Sequence, residues 1–332
     1  MYKGKHIAVV VPAHNEEAFV ADVIESVPLF VDRIYPVDDC STDDTWAEIR
    51  RAVMRMNGRA EPASTGEVLA DGGATPLVVP LRHSENSGVG AAIKTGYRRA
   101  VSDGADVVAV MNGDGQMDPA ILDRIIDPVV EGEADYAKGD RLVTSDHWEG
   151  MTAWRLFGNH LLTVLTRIAS GYWQMSDPQN GYTAISASAV DQLDLTELYD
   201  QYGFLNDVLI RLNAHNMRIA DVEMRAVYGD EQSGIQYTQF VPRLSWLLLR
   251  NFVWRLRTKY SAWDRLIAVP YVAGVVGSLA VVGSLLASLA VASRQTTAGG
   301  AAAGLGLCLL FILVGMVLER RKNAPLETTV RE

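Results

Sequence analysis

Two long uncharged stretches, Leu266–Ser293 and Thr296–Leu318, constrain this chain more than any other feature. They run 28 and 23 residues, and about 20 apolar residues suffice for a helix to cross a bilayer. Only Arg294 and Gln295 part them, a link short enough to dictate a helical hairpin. Buried core helices are the alternative, but no soluble domain remains in the chain to surround them. Both stretches are rich in Gly and Ala, which lets helix backbones approach closely in lipid, within a hairpin or between copies in a homo-oligomer. Flanking charges give an orientation. Arg243, Arg250, Arg255, Arg257, Lys259 and Arg265 precede the first stretch, Arg320, Arg321 and Lys322 follow the second, and Arg294 alone lies between them. By the positive-inside rule, the large N-terminal part and both termini of this two-span chain are expected on the cytoplasmic side. The expected divisions are a body over 1–235, a juxtamembrane segment over 236–265, spans over 266–293 and 296–318, and a cytoplasmic tail over 319–332.

Charge separates the same parts. Residues 1–240 hold 19 basic and 36 acidic side chains, a balance of −17, whereas 241–332 hold 11 and 4, a balance of +7. So acidic a body argues against nucleic acid as a partner, because phosphate contacts need Lys and Arg. The basic C-terminal part suits an anionic bilayer surface. Arg outnumbers Lys 24 to 6 and Asp outnumbers Glu 24 to 16, a balance that resembles salt-loving archaea. With only Cys40 and Cys308, a disulfide framework and a Cys-rich zinc site are both excluded.

Between body and first span, Arg243, Arg250 and Arg257 recur every seven residues and so share a helix face, with Trp246, Leu249, Phe252, Val253 and Trp254 around them. One or two helices lying in the membrane interface are expected over Gln236–Tyr260. An amphipathic helix packed on the body is the alternative. Trp154–Ile168 is a second, weaker segment of this kind.

The body alternates strand and helix patterns. Strands are expected at Ile7–Val11, Ile34–Val37, Leu77–Pro80 and Asp106–Met111. Helices are expected at Glu17–Val27 with Asn15 as its cap, at Thr42–Met56 opened by Ser41 and Asp43, and at Val89–Val101. The apolar run near the N-terminus leads into Pro12 and acids without a small-residue cleavage site, so it reads as the first strand and not a signal peptide. Repeated β-then-α units predict an α/β fold with a mostly parallel sheet covered on both faces. Residues 57–76, rich in Gly, Ala, Ser and Thr, read as a surface insertion.

In such a sheet, ligands bind beyond the carboxyl ends of the strands. Four strand ends carry polar clusters: Pro12-Ala-His-Asn-Glu-Glu17, Asp38-Asp-Cys-Ser-Thr-Asp-Asp-Thr45, Asn86-Ser-Gly-Val-Gly90 and Met111-Asn-Gly-Asp-Gly-Gln-Met-Asp-Pro119. A single one would be a helix cap; four in order suggest a built site. Asn112, Asp114 and Gln116 place oxygen donors at alternate positions, suited to Mg²⁺ or Mn²⁺, and Gly113 and Gly115 would let a phosphate approach the backbone. The turn through Gly88 into the helix carrying Lys94 is a weaker phosphate signal, equally readable as plain turn chemistry.

These motifs, with Ser176-Asp-Pro-Gln-Asn-Gly-Tyr-Thr-Ala-Ile-Ser186 following in order, resemble glycosyltransferase family 2, and within it the dolichyl-phosphate mannose synthase-like enzymes that load sugar onto polyprenyl phosphate. The likeness spans about residues 5 to 260. It implies a GT-A fold, a nucleotide-sugar donor such as a UDP- or GDP-hexose, dolichyl or polyprenyl phosphate as acceptor, an inverting transfer and a divalent metal. It also implies residue roles. Pro12, Ala13, Asn15, Glu16 and Asp39 would contact the nucleoside, with Asp39 on the base, and Asn86, Gly88, Lys94, Asn112, Gly113 and Asp114 would complete the donor site. Asp114 and Gln116, with Asn112, would hold metal and diphosphate. Arg141 would face the phosphates, Asp177–Gly181 would line the acceptor side, and Asp207 would stand near the sugar. Arg225 and Ser233 would bind the acceptor phosphate. Two departures stand out: the metal motif begins with Asn112 where the family usually has Asp, and His14 stands where Tyr is common. Two rival readings stay open, transfer to a lipid or glycan hydroxyl, and a non-catalytic membrane scaffold of the same fold.

Overall fold

The computed structural model describes residues 1–59, 77–141, 153–224, 237–260, 265–290 and 298–331. Strand β1 (Ile7–Ala13) is buried along its whole length. It pairs in parallel with β2 (Arg33–Asp38) on one side and β5 (Val107–Val110) on the other. A strand with both faces covered needs a continuous apolar run, and Ile7–Val11 supplies it. Odd positions Ile7, Val9 and Val11 face one core, which contains α1 (Val20–Ser26), α2 (Thr45–Arg59) and α4 (Leu122–Val130). Even positions Ala8 and Val10 face a second core, with α3 (Val89–Ser102), α6 (Ala187–Gln192) and α7 (Phe204–Ala214).

The expected Leu77–Pro80 strand is instead two short pieces, β3 (Leu77–Val78) and β4 (Leu81–Arg82), both on β2. The sheet continues beyond β5 through β7 (Thr183–Ser186), β6 (Tyr136–Asp140), β8 (Ile219–Glu223) and β9 (Glu327–Val330). Among the described strand pairings of this sheet, β5–β7 and β6–β7 are antiparallel and the others parallel. The mostly parallel expectation therefore holds. Asn15 is not the cap of the first helix: α1 starts at Val20 after Phe19, with no side-chain cap. Of the insertion expected over 57–76, Asn57 still belongs to α2 and binds the backbone of Val78 through both amide atoms, at 2.9 Å each. Residues 60–76 lie outside the described residues.

The segment before the first span is one helix, α8 (Tyr237–Lys259). Its Leu244, Leu247 and Leu248 are buried against Ala169 of α5 (Ala153–Ser170) and Ile210 of α7. The packed alternative is therefore present along one face. The opposite face is open: Trp246 is 66% exposed and Leu249 55%, with Arg243, Arg250 and Arg257 exposed beside them.

Helices α9 (Arg265–Ala290) and α10 (Ala298–Asn323) form the hairpin, and both are long and apolar enough to cross a membrane. Their Val and Leu side chains face outward from Val269 to Leu286 and from Leu307 to Leu318, a surface that water would not tolerate at this size. A Cβ on Gly274 would lie 2.5 Å from Ile312 Cγ1 and 2.7 Å from the Cys308 carbonyl, so the small residue sets how closely the helices meet.

A buried ion pair joins hairpin to body. Arg255 of α8 and Glu319 of α10 are both fully buried, 2.6 Å apart. Tyr260 and Tyr271 donate to the same carboxylate at 2.9 and 3.0 Å. Arg255 also donates to the carbonyls of Ala169 and Ile168 and to Asn213 Oδ1. The segment expected as the tail, 319–332, is structured through residue 330. It finishes α10, turns at Ala324–Leu326 and pairs as β9 in parallel with β8.

Candidate active site

The carboxyl ends of β1, β2 and β5 meet side by side. Asp39 N–H donates to the Ala13 carbonyl (2.9 Å), and Gly113 N–H donates to the Pro12 carbonyl (3.0 Å). Ala13 itself is buried, and a Cβ on Gly113 would come within 3.1 Å of its methyl, so these two positions bring the strand ends into contact. Asn15 takes a left-handed φ of 58°. Its backbone N–H binds Ser41 Oγ at 3.0 Å, and its side-chain oxygen accepts from Thr42 N–H at 2.9 Å. Glu16 N–H donates to Thr45 Oγ1 at 2.7 Å. The first two polar clusters are therefore one hydrogen-bonded unit.

Asp39, expected on the base, is 3% exposed and latches the neighbouring loop. Its carboxylate accepts from Ser87 N–H (2.9 Å), Gly88 N–H (2.6 Å) and His83 Nδ1 (2.7 Å). His83, which the sequence did not single out, passes on to Thr95 Oγ1 through Nε2 at 2.9 Å. Nearby, His14 donates from Nδ1 to the Asp39 carbonyl, and Asn86 Nδ2 donates to His14 Nε2 at 3.0 Å. His14 thus occupies the seam between the first strand end and the Asn86 loop.

Gly88 and Lys94 are placed differently from expectation. Gly88 has φ 97°, and a Cβ there would sit 2.5 Å from the Asp200 carbonyl. Gly90 N–H binds that same carbonyl at 2.8 Å. Lys94 is buried, donating to the Leu198 carbonyl at 2.8 Å and pairing with Asp200 at 2.5 Å. The Asp200 carbonyl accepts from Gly90 and Ala91 N–H at the start of α3, an arrangement that matches the plain-turn alternative for this segment.

Asp114 sits in the β5 turn, where its Oδ1 accepts from Gln116 N–H at 3.0 Å. The Asn112 amide lies against Gly181, whose added Cβ would fall 3.2 Å from Asn112 Nδ2. Asp118 caps the following turn through Ala120 N–H. Among the described residues, no group of three His, Cys, Asp or Glu side chains could hold a metal. The donor set here is one carboxylate with two amides. That fits Mg²⁺ or Mn²⁺, which bind through one or two carboxylates and complete their shell with substrate phosphate and water. It does not fit zinc, which favours Cys and His. Asp114 would be the anchoring ligand with Asn112 and Gln116 beside it, and a bound ion would offset charge on a leaving diphosphate.

The far wall is the 173–182 segment. Arg141 forks onto Asp177, Nε at 2.8 Å and Nη2 at 3.3 Å. Burial pushes the Asp177 carboxyl up, but the Arg141 charge and hydrogen bonds outweigh it, leaving it below the usual carboxylate range. Lys138 is buried, pairing with Asp221 at 2.8 Å and donating to the Asp177 carbonyl. Ser176 Oγ donates to Asp140.

Asp207, expected near the sugar, is fully buried in the first turn of α7. It accepts from Tyr199 N–H (2.9 Å), Arg211 Nε (3.2 Å) and Asn251 Nδ2 of α8 (2.7 Å). Burial raises its pKa against the pull of Arg211. Its contacts tie α7 to α8. Arg225 and Ser233, assigned to the acceptor phosphate, lie outside the described residues.

A sequence model of "Glycosyl transferase family 2" matches residues 8–194. A UDP-N-acetylglucosamine–dolichyl-phosphate N-acetylglucosaminyltransferase of Methanococcus voltae is 27% identical over 68% of this chain and 87% of its own length. An undecaprenyl-phosphate mannosyltransferase of Micrococcus luteus is also 27% identical, over 67% and 83%. Among solved structures, glucosyl-3-phosphoglycerate synthase from Mycobacterium tuberculosis with Mn²⁺, UDP and phosphoglyceric acid superposes with a TM-score of 0.51 at 21% identity, covering 78% of this chain and 81% of that one. The same enzyme with Mg²⁺ and UDP gives 0.50 at 22% identity, over 76% and 79%. These likenesses establish the GT-A fold.

Proposed function

Since this chain belongs to glycosyl transferase family 2, we propose that it transfers a hexose from a nucleotide-sugar to dolichyl or another polyprenyl phosphate, with inversion. The observation that carries this reading is the juxtaposition of an oxygen-donor turn at Asp114 with a rigidly attached, lipid-compatible hairpin in one molecule. The relatives from Methanococcus voltae and Micrococcus luteus, named for dolichyl and undecaprenyl phosphate, support the acceptor class.

In the reaction, an oxygen of the lipid phosphate bonds to the anomeric carbon as the bond to the nucleoside diphosphate breaks, and the diphosphate leaves with the electron pair. Asp114, with Asn112 and Gln116 beside it, would hold Mg²⁺ or Mn²⁺, which would offset charge on the leaving diphosphate. A lipid phosphate is already anionic at neutral pH and needs little general-base help. Burial of Asp207 agrees with this, because a hydroxyl acceptor would need a base and this carboxylate is enclosed. The catalytic body and both termini lie on the cytoplasmic side. Pairing of β9 with β8 supports that topology, since it returns the chain beyond the hairpin to the body. The open face of α8, with Arg243, Arg250 and Arg257 beside Trp246 and Leu249, lies on the headgroups and brings the site to the lipid phosphate, which cannot be lifted far because each exposed CH₂ costs about 0.8 kcal/mol.

The test is a panel of labelled UDP-N-acetylglucosamine, UDP-glucose and GDP-mannose, each with dolichyl phosphate and Mg²⁺ or Mn²⁺, followed by extraction into organic solvent. Label in the organic phase with one donor is expected. Label absent for all three, with donor hydrolysis or transfer to a hydroxyl lipid instead, would overturn the acceptor assignment.

A further inference from the structure

The C-terminal strand passes close to the wall of the site opposite the donor strand ends. Glu327, its first residue, accepts from three consecutive backbone amides, Trp173 at 2.8 Å, Gln174 at 2.6 Å and Met175 at 3.1 Å. Three amides converging on one carboxylate fix the path of the backbone that carries them, because each bond to a charged acceptor is about twice as strong as a neutral one. Two residues further on is Asp177, which holds Arg141, and at the end of the same run Gly181 lies against Asn112 of the metal turn. The start of the segment is pinned from the same direction: Asn323, at the end of α10, donates to the Gly171 carbonyl at 2.9 Å. The sequence separation is 152 to 154 residues, with the whole hairpin in between.

We propose that Glu327 is a positioning residue of the transferase: the chain crosses to the membrane and returns so that its last strand can set the 173–181 wall and, through Asp177, the orientation of Arg141 toward an incoming phosphate. This rests on the transferase reading above. Glu327 acts through the wall and touches neither donor nor acceptor. Its neutral isostere turns an amide N–H toward backbone N–H groups, so the wall loosens while the strand, held by β8, remains.

The experiment uses the full chain in lipid nanodiscs and compares Glu327→Gln, Glu327→Asp and the exposed-strand control Thr328→Ala with wild type. Hydrogen exchange at the amides of Trp173, Gln174 and Met175 reads the placement without any activity. Those amides should exchange at least about tenfold faster in Glu327→Gln and stay protected in Thr328→Ala. Steady-state transfer to dolichyl phosphate should show a rise of about tenfold in acceptor KM for Glu327→Gln, kcat and donor KM within about twofold, and partial recovery in Glu327→Asp, which keeps the charge. Unchanged exchange in Glu327→Gln would refute the clamp. Faster exchange with an unchanged acceptor KM, or with kcat and both KM values falling together, would show a strand that only stabilises. If wild type itself transfers no sugar to dolichyl phosphate, the transferase reading fails, while the exchange result still decides the clamp.

Discussion

Removing one member of the Arg255–Glu319 pair should loosen the hairpin from the body, and removing both should cost less than the sum. The charges sit 2.6 Å apart with neither side chain exposed. At an effective dielectric constant of about 20, their attraction is about 6 kcal/mol. Desolvating two ions costs several kcal/mol each, so the intact pair is nearly balanced, while stranding either member costs about 3–5 kcal/mol. Glu319 also accepts from Tyr260 and Tyr271, and each hydroxyl left without an acceptor adds about 1–3 kcal/mol. Arg255→Met in turn leaves the Ala169 and Ile168 carbonyls without their guanidinium donor, so each single change strands polar groups besides the partner charge and the two should cost comparable amounts. Arg255→Met/Glu319→Leu removes both charges and should fall short of the summed single losses by at least about 1 kcal/mol. Urea unfolding in detergent micelles, followed by tryptophan fluorescence, completes the double-mutant cycle. Additivity within about 0.5 kcal/mol would refute a coupled buried pair.

Asp114→Ala should lower turnover at least about a hundredfold, near 3 kcal/mol of lost transition-state stabilisation, and Asn112→Asp should remain active; full activity of wild type in EDTA would remove the metal from the scheme. The depressed pKa of Asp177 makes its ionised form stabilising: its contribution is fully present above the ordinary value of 3.8 and disappears as pH falls through the lower folded-state value. The stability gap between wild type and Asp177→Asn, measured by urea unfolding, should thus be constant from neutral pH down to that region and shrink below it; a gap that shrinks as pH rises toward neutrality would reverse the sign. Gly274→Val should part α9 from α10 at a cost of about 1–3 kcal/mol, because its Cβ meets backbone at 2.7 Å. Crosslinking across the hairpin at unchanged efficiency would count against that contact.

Much of the architecture was legible because its causes are local. The uncharged runs behind α9 and α10 declare themselves by length, and Ile7–Val11 by its unbroken apolar character. The polar clusters at 12–17, 38–45 and 111–119 mark strand ends, and the alternation of elements then places those ends together. Periodicity cannot say which polar group is enclosed, because enclosure depends on what packs over it. Lys94 can be read as a phosphate ligand, yet it lies buried on the Leu198 carbonyl and the Asp200 carboxylate. Asp207 reads as a site carboxylate until Asn251 and Arg211 close around it. Arg255 counts among the basic flank of a span, yet alone among Arg243, Arg250, Arg255 and Arg257 it is withdrawn from solvent, because Glu319 lies across from it 64 residues later. Glu327 looks like tail until its amide partners are seen. A charge leaves water only where a distant partner meets it. The sequence by itself therefore determined the elements, the hairpin and the strand-end clusters, while the tertiary structure alone decided which charged residues stay open at those strand ends and which are enclosed and hold the molecule together.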